Sequence, residues 1–238
     1  MDKQIINQKM LLNNEAIALL NKTNFFFASM FLVVTFLLAA NSYLDIEFSR
    51  MFYDVDTQKF IYADNIIVKI LFYTIPKVSI IYGLYILIVG LAHLIFWKNF
   101  AQFSLYFTIF ISINLSGAFI INTCLKEFIG RARPRQITEF GGNKFFSPAM
   151  AMSNQCNSNC SFSSGHAAGA FIFTTAAFLF AIRKAFIIYY FGIIFGLVAG
   201  LSRIAQGAHF LSDITMSGFV ILIVQYYIIF LYQKIYSI

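Results

Sequence analysis

Long stretches without charge decide what this chain can fold into. Six of them stand out: Asn24 to Leu44; Val78 to Trp97, closed by Lys77 and Lys98; Phe100 to Leu125; the run after His166 that ends before Arg183; Ala185 to Leu201; and Ile214 to about Gln233. About 20 apolar residues cross a bilayer core of about 30 Å. The fourth and fifth runs are short and cross only if their ends continue into polar loops at the interface. Of the 238 residues, 60% are hydrophobic and 11% charged, about half the charge of a soluble domain. The chain is therefore expected to be an all-α, polytopic membrane protein, one membrane-embedded domain over residues 1–238. The first run loosely resembles a signal sequence ending at Leu38-Ala39-Ala40-Asn41, but it is longer than a signal core and is read as a span. The stretch Met1 to Thr23 is mildly amphipathic and is expected as an interfacial helix on the membrane surface.

The net charge is +7. The cations sit at run ends and in one loop, without a basic tract, so nucleic acid is not expected as a partner. Cations that flank spans set topology and meet anionic headgroups. Lys3, Lys9, Lys22, Lys98, Arg183, Lys184 and Lys234 fall on one side with only Asp2 and Glu15. That side, with both termini, is expected to be cytoplasmic. The loops Asp45 to Lys77, Lys126 to Gly165 and Ser202 to Asp213 are expected on the opposite face, the first with an interfacial segment over Tyr53 to Pro76. Gly192, Gly196 and Gly200 recur four apart in the fifth run, a spacing that lets helix backbones approach closely.

Two outward loops concentrate polar residues into three segments. Lys126 and Arg133 lie seven apart, about two helical turns, so both cations share a face before Pro134 stops the helix. Two cations at a span end suit a phosphate, or snorkel to headgroups. Next, Ser163-Ser164-Gly165-His166 enters the fourth run. Ser164 is a natural N-cap, and the free N–H groups of the first turn make an anion site beside His166, which is placed to give a proton to a leaving oxygen. Third, His209 and Asp213 are four apart at the start of the sixth run, where a carboxylate would fix the imidazole tautomer. Arg203 adds a forked cation. Only three histidines exist in the chain, and two head membrane helices on the same face. Charges at a membrane are costly and usually functional, and three cations around phosphoryl oxygens suit phosphoryl transfer. The residues alone leave open which histidine attacks.

Together the three segments resemble the type 2 phosphatidic acid phosphatase family, whose pattern is Lys, six residues, Arg-Pro; Pro-Ser-Gly-His; then Ser-Arg, five residues, His, three residues, Asp. Lys126 to Arg133-Pro134 and Ser202-Arg203, His209, Asp213 match the first and third parts. In the second part Ser163 replaces proline, a change at a turn residue that carries no proton. The resemblance implies a six-transmembrane-helix bundle and metal-independent hydrolysis without a cofactor. It makes His209 the nucleophile, Asp213 its stabiliser and His166 the acid. Lys126, Arg133, Arg203, Ser164 and the Gly165 N–H would hold the phosphoryl oxygens. A narrower likeness, carried by Phe140 to Lys144, Gln155 to Phe162 and Arg203 to Asp213, is to the bacterial lipid A phosphatases of this family. It implies a phosphorylated membrane lipid as substrate, and a bacterial inner (cytoplasmic) membrane with the active site facing the periplasm. Undecaprenyl diphosphate and phosphatidylglycerophosphate phosphatases share the catalytic pattern. A transporter or scaffold would have lost catalytic groups, and the related vanadium haloperoxidases are soluble. Cys156 and Cys160, both in the outward loop, form either a short disulfide or two free thiols; zinc would need more ligands. Cys124 and His93 are read as packing residues.

Overall fold

The computed structural model describes residues 3–236. Helix α1 (Lys3–Ala40) is followed by the short α2 (Tyr43–Arg50) and a two-stranded hairpin, β1 (Tyr53–Asp54) and β2 (Lys59–Phe60). Then come α3 (Ile66–Ile95), α4 (Phe100–Phe128), α5 (Gly165–Leu179), α6 (Ile182–Ala205) and α7 (Leu211–Ile235). Among the described residues, five helices are long and apolar enough to cross a membrane, and α5, at 15 residues, is a sixth, shorter apolar helix. The protein is an all-α, multi-pass membrane protein.

Two boundaries differ from the expected ones. The stretch read as interfacial continues without a break into the first span, as one helix from Lys3 to Ala40; Met1 and Asp2 lie outside the described residues. Ala16, Ile17 and Leu20 on it are already buried, so packing begins before Thr23. The second span begins at Ile66 rather than Val78, because Asn65 caps it by accepting from the N–H groups of Ile67 and Val68, and Pro76 is absorbed inside the helix. Inside a membrane bundle, neighbours and local adjustment compensate the bond that proline cannot make.

The helices bury a common core that includes Phe31, Phe171, Phe178, Tyr189 and Ile221, while large side chains such as Phe26, Ile80, Ile81 and Ile187 face outward, as lipid contact requires. The glycine ladder of α6 works as its spacing suggests. A Cβ on Gly196 would run into the Phe171 ring, one on Gly192 would stand 2.6 Å from the Thr174 backbone, and one on Gly200 would run into Ile214. Those contacts pull α5 and the start of α7 against α6. Polar ties also reach α7: Thr35 of α1 to Thr215 at 2.8 Å and Thr174 of α5 to Gln225 at 2.9 Å.

Helix α4 is unusual. From Asn114 to Leu125 its turns widen into a π-helix, which closes again to α at Lys126. The side chains of Asn122 and Thr123 bond to the carbonyls five residues back, Gly117 and Ala118. Such widened turns are frequent at functional sites, and this one ends where the first polar segment begins.

Candidate active site

A polar cavity of about 680 Å³ opens between the ends of α3, α4, α5 and α6 and the turn into α7. Lys126, Arg133, His166, Arg203 and His209 all line it. Five of the eight site residues singled out from the sequence thus reach one space, although they lie up to 83 positions apart. Asp213 stands behind His209, and Ser164 and Gly165 form the adjoining turn without lining this space.

Arg203, at the end of α6, lies over the Phe72 ring at 4.6 Å, and its guanidinium bonds to Gln206. Its buried Nε has no partner among the described residues. Arg133 donates to the backbone carbonyl of Asn159 at 2.7 Å and to its side-chain oxygen at 3.0 Å, and Lys126 Nζ lies 3.5 Å from that same oxygen. Burial lowers the Arg133 pKa. Asn159 sits within the five-residue loop that the Cys156–Cys160 disulfide closes (Cα–Cα 5.6 Å). The staple therefore holds the residue that spaces two of the three cations. Cys124 remains a free thiol on α4.

Ser164 caps α5 by accepting from the Ala167 N–H, as its position implies. His166 follows in the first turn. Its Nε2 bonds to the Phe72 carbonyl at 3.1 Å and its ring stacks on the Phe72 ring at 4.9 Å. A carbonyl only accepts, so Nε2 carries the proton. The third histidine, His93, packs against Trp97 and Tyr106.

His209 is almost wholly buried. Its Nδ1 lies 2.7 Å from the Ser161 carbonyl and 3.5 Å from Asp213 Oδ2. The closer partner is therefore the backbone carbonyl, not the carboxylate expected from the four-residue spacing. Donation to that carbonyl puts the proton on Nδ1 and leaves the Nε2 lone pair unshared. Burial pushes the His209 pKa down to about 3, against the upward pull of Asp213. The imidazole is thus neutral at physiological pH.

Asp213 is committed elsewhere. One oxygen accepts from Arg131 at 2.6 Å; the other accepts from Ser161 Oγ at 2.5 Å and from the Phe210 N–H at 2.8 Å, capping α7. Arg131 in turn reaches Asp45 at 2.8 Å, the Ser147 carbonyl at 2.8 Å and Ser212 Oγ at 2.8 Å, and lies 4.2 Å over the Phe210 ring. Asp45, on α2, also accepts from the Ser212 N–H at 2.9 Å. Burial pushes the Asp45 pKa up while Arg131 pulls it down. Arg131, Asp45, Ser161, Asn159 and Phe72 are site residues that the sequence reading missed. Arg131 alone carried a signal, as an extra cation inside the matched segment.

A family model described as the PAP2 superfamily matches residues 103–234. The lipid A 4'-phosphatase of Francisella tularensis subsp. novicida is 29% identical over 195 residues, which span 81% of this chain and 85% of that protein. The lipid A 4'-phosphatase of Rhizobium etli is 38% identical over 99 residues, 41% of this chain and 38% of that protein. Among solved structures, a transmembrane PAP2-type phosphatidylglycerolphosphate phosphatase from Bacillus subtilis superposes with a TM-score of 0.53 at 17% identity, covering 87% of this chain and 96% of that one, a likeness of fold. The matched stretch contains every residue lining the polar cavity except Ala63, Lys69, Phe72 and Tyr73, and this chain belongs to the PAP2 superfamily.

Proposed function

We propose that this protein is a membrane lipid phosphatase that removes a phosphate monoester from a lipid A-type substrate through a phosphohistidine. One observation carries the reading: a neutral, buried His209, its Nδ1 engaged by a backbone carbonyl, borders the same cavity as Lys126, Arg133 and Arg203. His209 Nε2 forms a bond to phosphorus as the bond from phosphorus to the lipid oxygen breaks. His166, in its imidazolium form, gives a proton to that oxygen and becomes neutral. In the second half, His166 takes a proton from water, water oxygen bonds to phosphorus, and the P–N bond breaks to release inorganic phosphate and restore His209. The three cations hold the equatorial oxygens, where negative charge is spread in the transition state, with Ser164 and the Gly165 N–H contributing from the adjoining turn. Asp213 supports the cationic form of His209 as the bond to phosphorus forms.

The relatives' names support lipid A-type lipid as the substrate. Their bacterial origin and the cation bias of the termini-bearing side support an inner-membrane protein whose site faces the periplasm. Charge neutralisation by three fixed cations supports turnover without added metal. The test is phosphate release by the purified protein from lipid A, phosphatidic acid and undecaprenyl diphosphate, each with and without a chelator. Release from lipid A, unchanged by the chelator, is expected. No release from any of the three, or release that requires added divalent metal, would overturn the reading.

A further inference from the structure

A second cavity, of about 390 Å³ and largely apolar, lies between α3, α4 and α5, with Ser79, Gly83, Phe110 and Ile172 in its walls. It shares no lining residue with the polar cavity, but the two adjoin along the chain. Gly165 borders the apolar space and His166, its neighbour, borders the polar one. The position of a Gly165 Cβ is occupied from both sides: Asn122 Oδ1 would stand at 2.6 Å and Lys126 Nζ at 3.1 Å. Lys126 belongs to the polar cavity and Asn122 to the apolar one. Asn122 Oδ1 and Gly165 are in contact, so a lipid whose phosphate sits among Lys126, Arg133 and Arg203, with a chain entering the apolar cavity, must pass over that contact.

Asn122 is a polar residue inside a span, which is costly unless it is used. Its Nδ2 donates to the Gly117 carbonyl at 2.8 Å, a bond made possible by the widened turns of the π-helix. That bond fixes the carboxamide plane and settles which atom faces out. Oδ1, the acceptor, receives no donor among the described residues. At the boundary between the headgroup and chain spaces, therefore, the protein presents an acceptor and asks the ligand for a donor.

We infer that Asn122 is a specificity-determining residue that selects phosphorylated lipids bearing an amide N–H or hydroxyl between the phosphate and the acyl chain. This rests on the lipid phosphatase reading and narrows it. An acylated amino sugar has such donors. A diacylglycerol phosphate has only ester oxygens in that interval, and these face Oδ1 acceptor to acceptor. A site built around a hydrogen bond rejects the analogue that lacks the partner, because its own polar group is then left unpaired.

The test compares ceramide 1-phosphate, which carries an amide and a hydroxyl near the phosphate, with phosphatidic acid of matched chain length, in the same detergent micelles. The readout is the ratio of kcat/KM values for the wild type and for Asn122→Leu. The wild type is expected to favour ceramide 1-phosphate by about tenfold, and Asn122→Leu to bring the ratio close to one, mainly through the ceramide lipid. A wild type without preference would overturn the inference. So would an Asn122→Leu variant that keeps the preference, including one in which both lipids lose activity alike through damaged folding. Phosphate release from neither lipid and none from lipid A would instead overturn the phosphatase reading.

Discussion

The two site histidines are held in opposite ways. His209 is backed by three layers: the Ser161 carbonyl, the Asp213 carboxylate, and an Arg131 that joins Asp213 to Asp45 on α2. His166 has one carbonyl and one aromatic face, both from Phe72. The difference fits the roles proposed for them. A nucleophile needs one lone pair on one line, and tight packing supplies that. An acid that serves first a leaving oxygen and then water needs room to turn, and a single carbonyl gives it a resting place that is easily left.

Substitutions at the two positions should separate these roles. His209→Ala is expected to lower kcat/KM on the order of 10⁴-fold or more on any phosphate ester, while the protein still elutes as a folded species. Activity within tenfold of wild type would break the comparison at its root. His166→Ala is expected to lose about 10²- to 10⁴-fold on a lipid phosphate but clearly less on p-nitrophenyl phosphate, whose leaving group needs no proton. Equal losses on both esters would show that His166 does not act as the acid. Arg131→Met strips both buried carboxylates of their cation. Breaking a buried pair in this way costs about 3–5 kcal/mol, read as a lower thermal midpoint, with activity falling alongside. The smallest effect concerns acid. The His209 pKa is about 3 in the fold against about 6.5 unfolded, so the unfolded chain takes up the extra proton between those values and stability falls as pH drops through that window. The wild-type thermal midpoint should fall more steeply from pH 6.5 to 4 than that of His209→Phe; parallel curves would place His209 in a wetter setting.

What could be read from the sequence was whatever repeats at short range. Lys126 and Arg133, and His209 and Asp213, sit at helical spacings, and their pairing on one face needs no tertiary knowledge. Ser164 announces its own helix. The supporting shell has no such period. Asp45 reaches Arg131 across 86 positions and Ser212 across 167, and an acid in a short helix after the first span looks like any other surface acid. Arg131 sat two residues from Arg133 and was passed over because only the ends of the segment entered the pattern. The start of α3 was misplaced for a related reason: Lys69, Pro76 and Lys77 read as loop residues, yet lysines can snorkel and a membrane helix tolerates proline. The Asp213 role was half legible. Spacing put it beside His209, but a backbone carbonyl, which no sequence pattern advertises, lies closer.

The widened stretch of α4 makes the register of that helix a matter of residue count. In an ordinary helix each residue turns the chain by about 100°, and a π segment stores surplus residues that the α form has no place for. Removing one residue between Ser116 and Ile121 would let the stretch rewind toward α, swinging Lys126 away from Arg133 and taking Asn122 from Gly165. One missing codon, in a region with no proposed catalytic group, would then disarm the proposed phosphate clamp and the Asn122–Gly165 contact beside it at a single stroke.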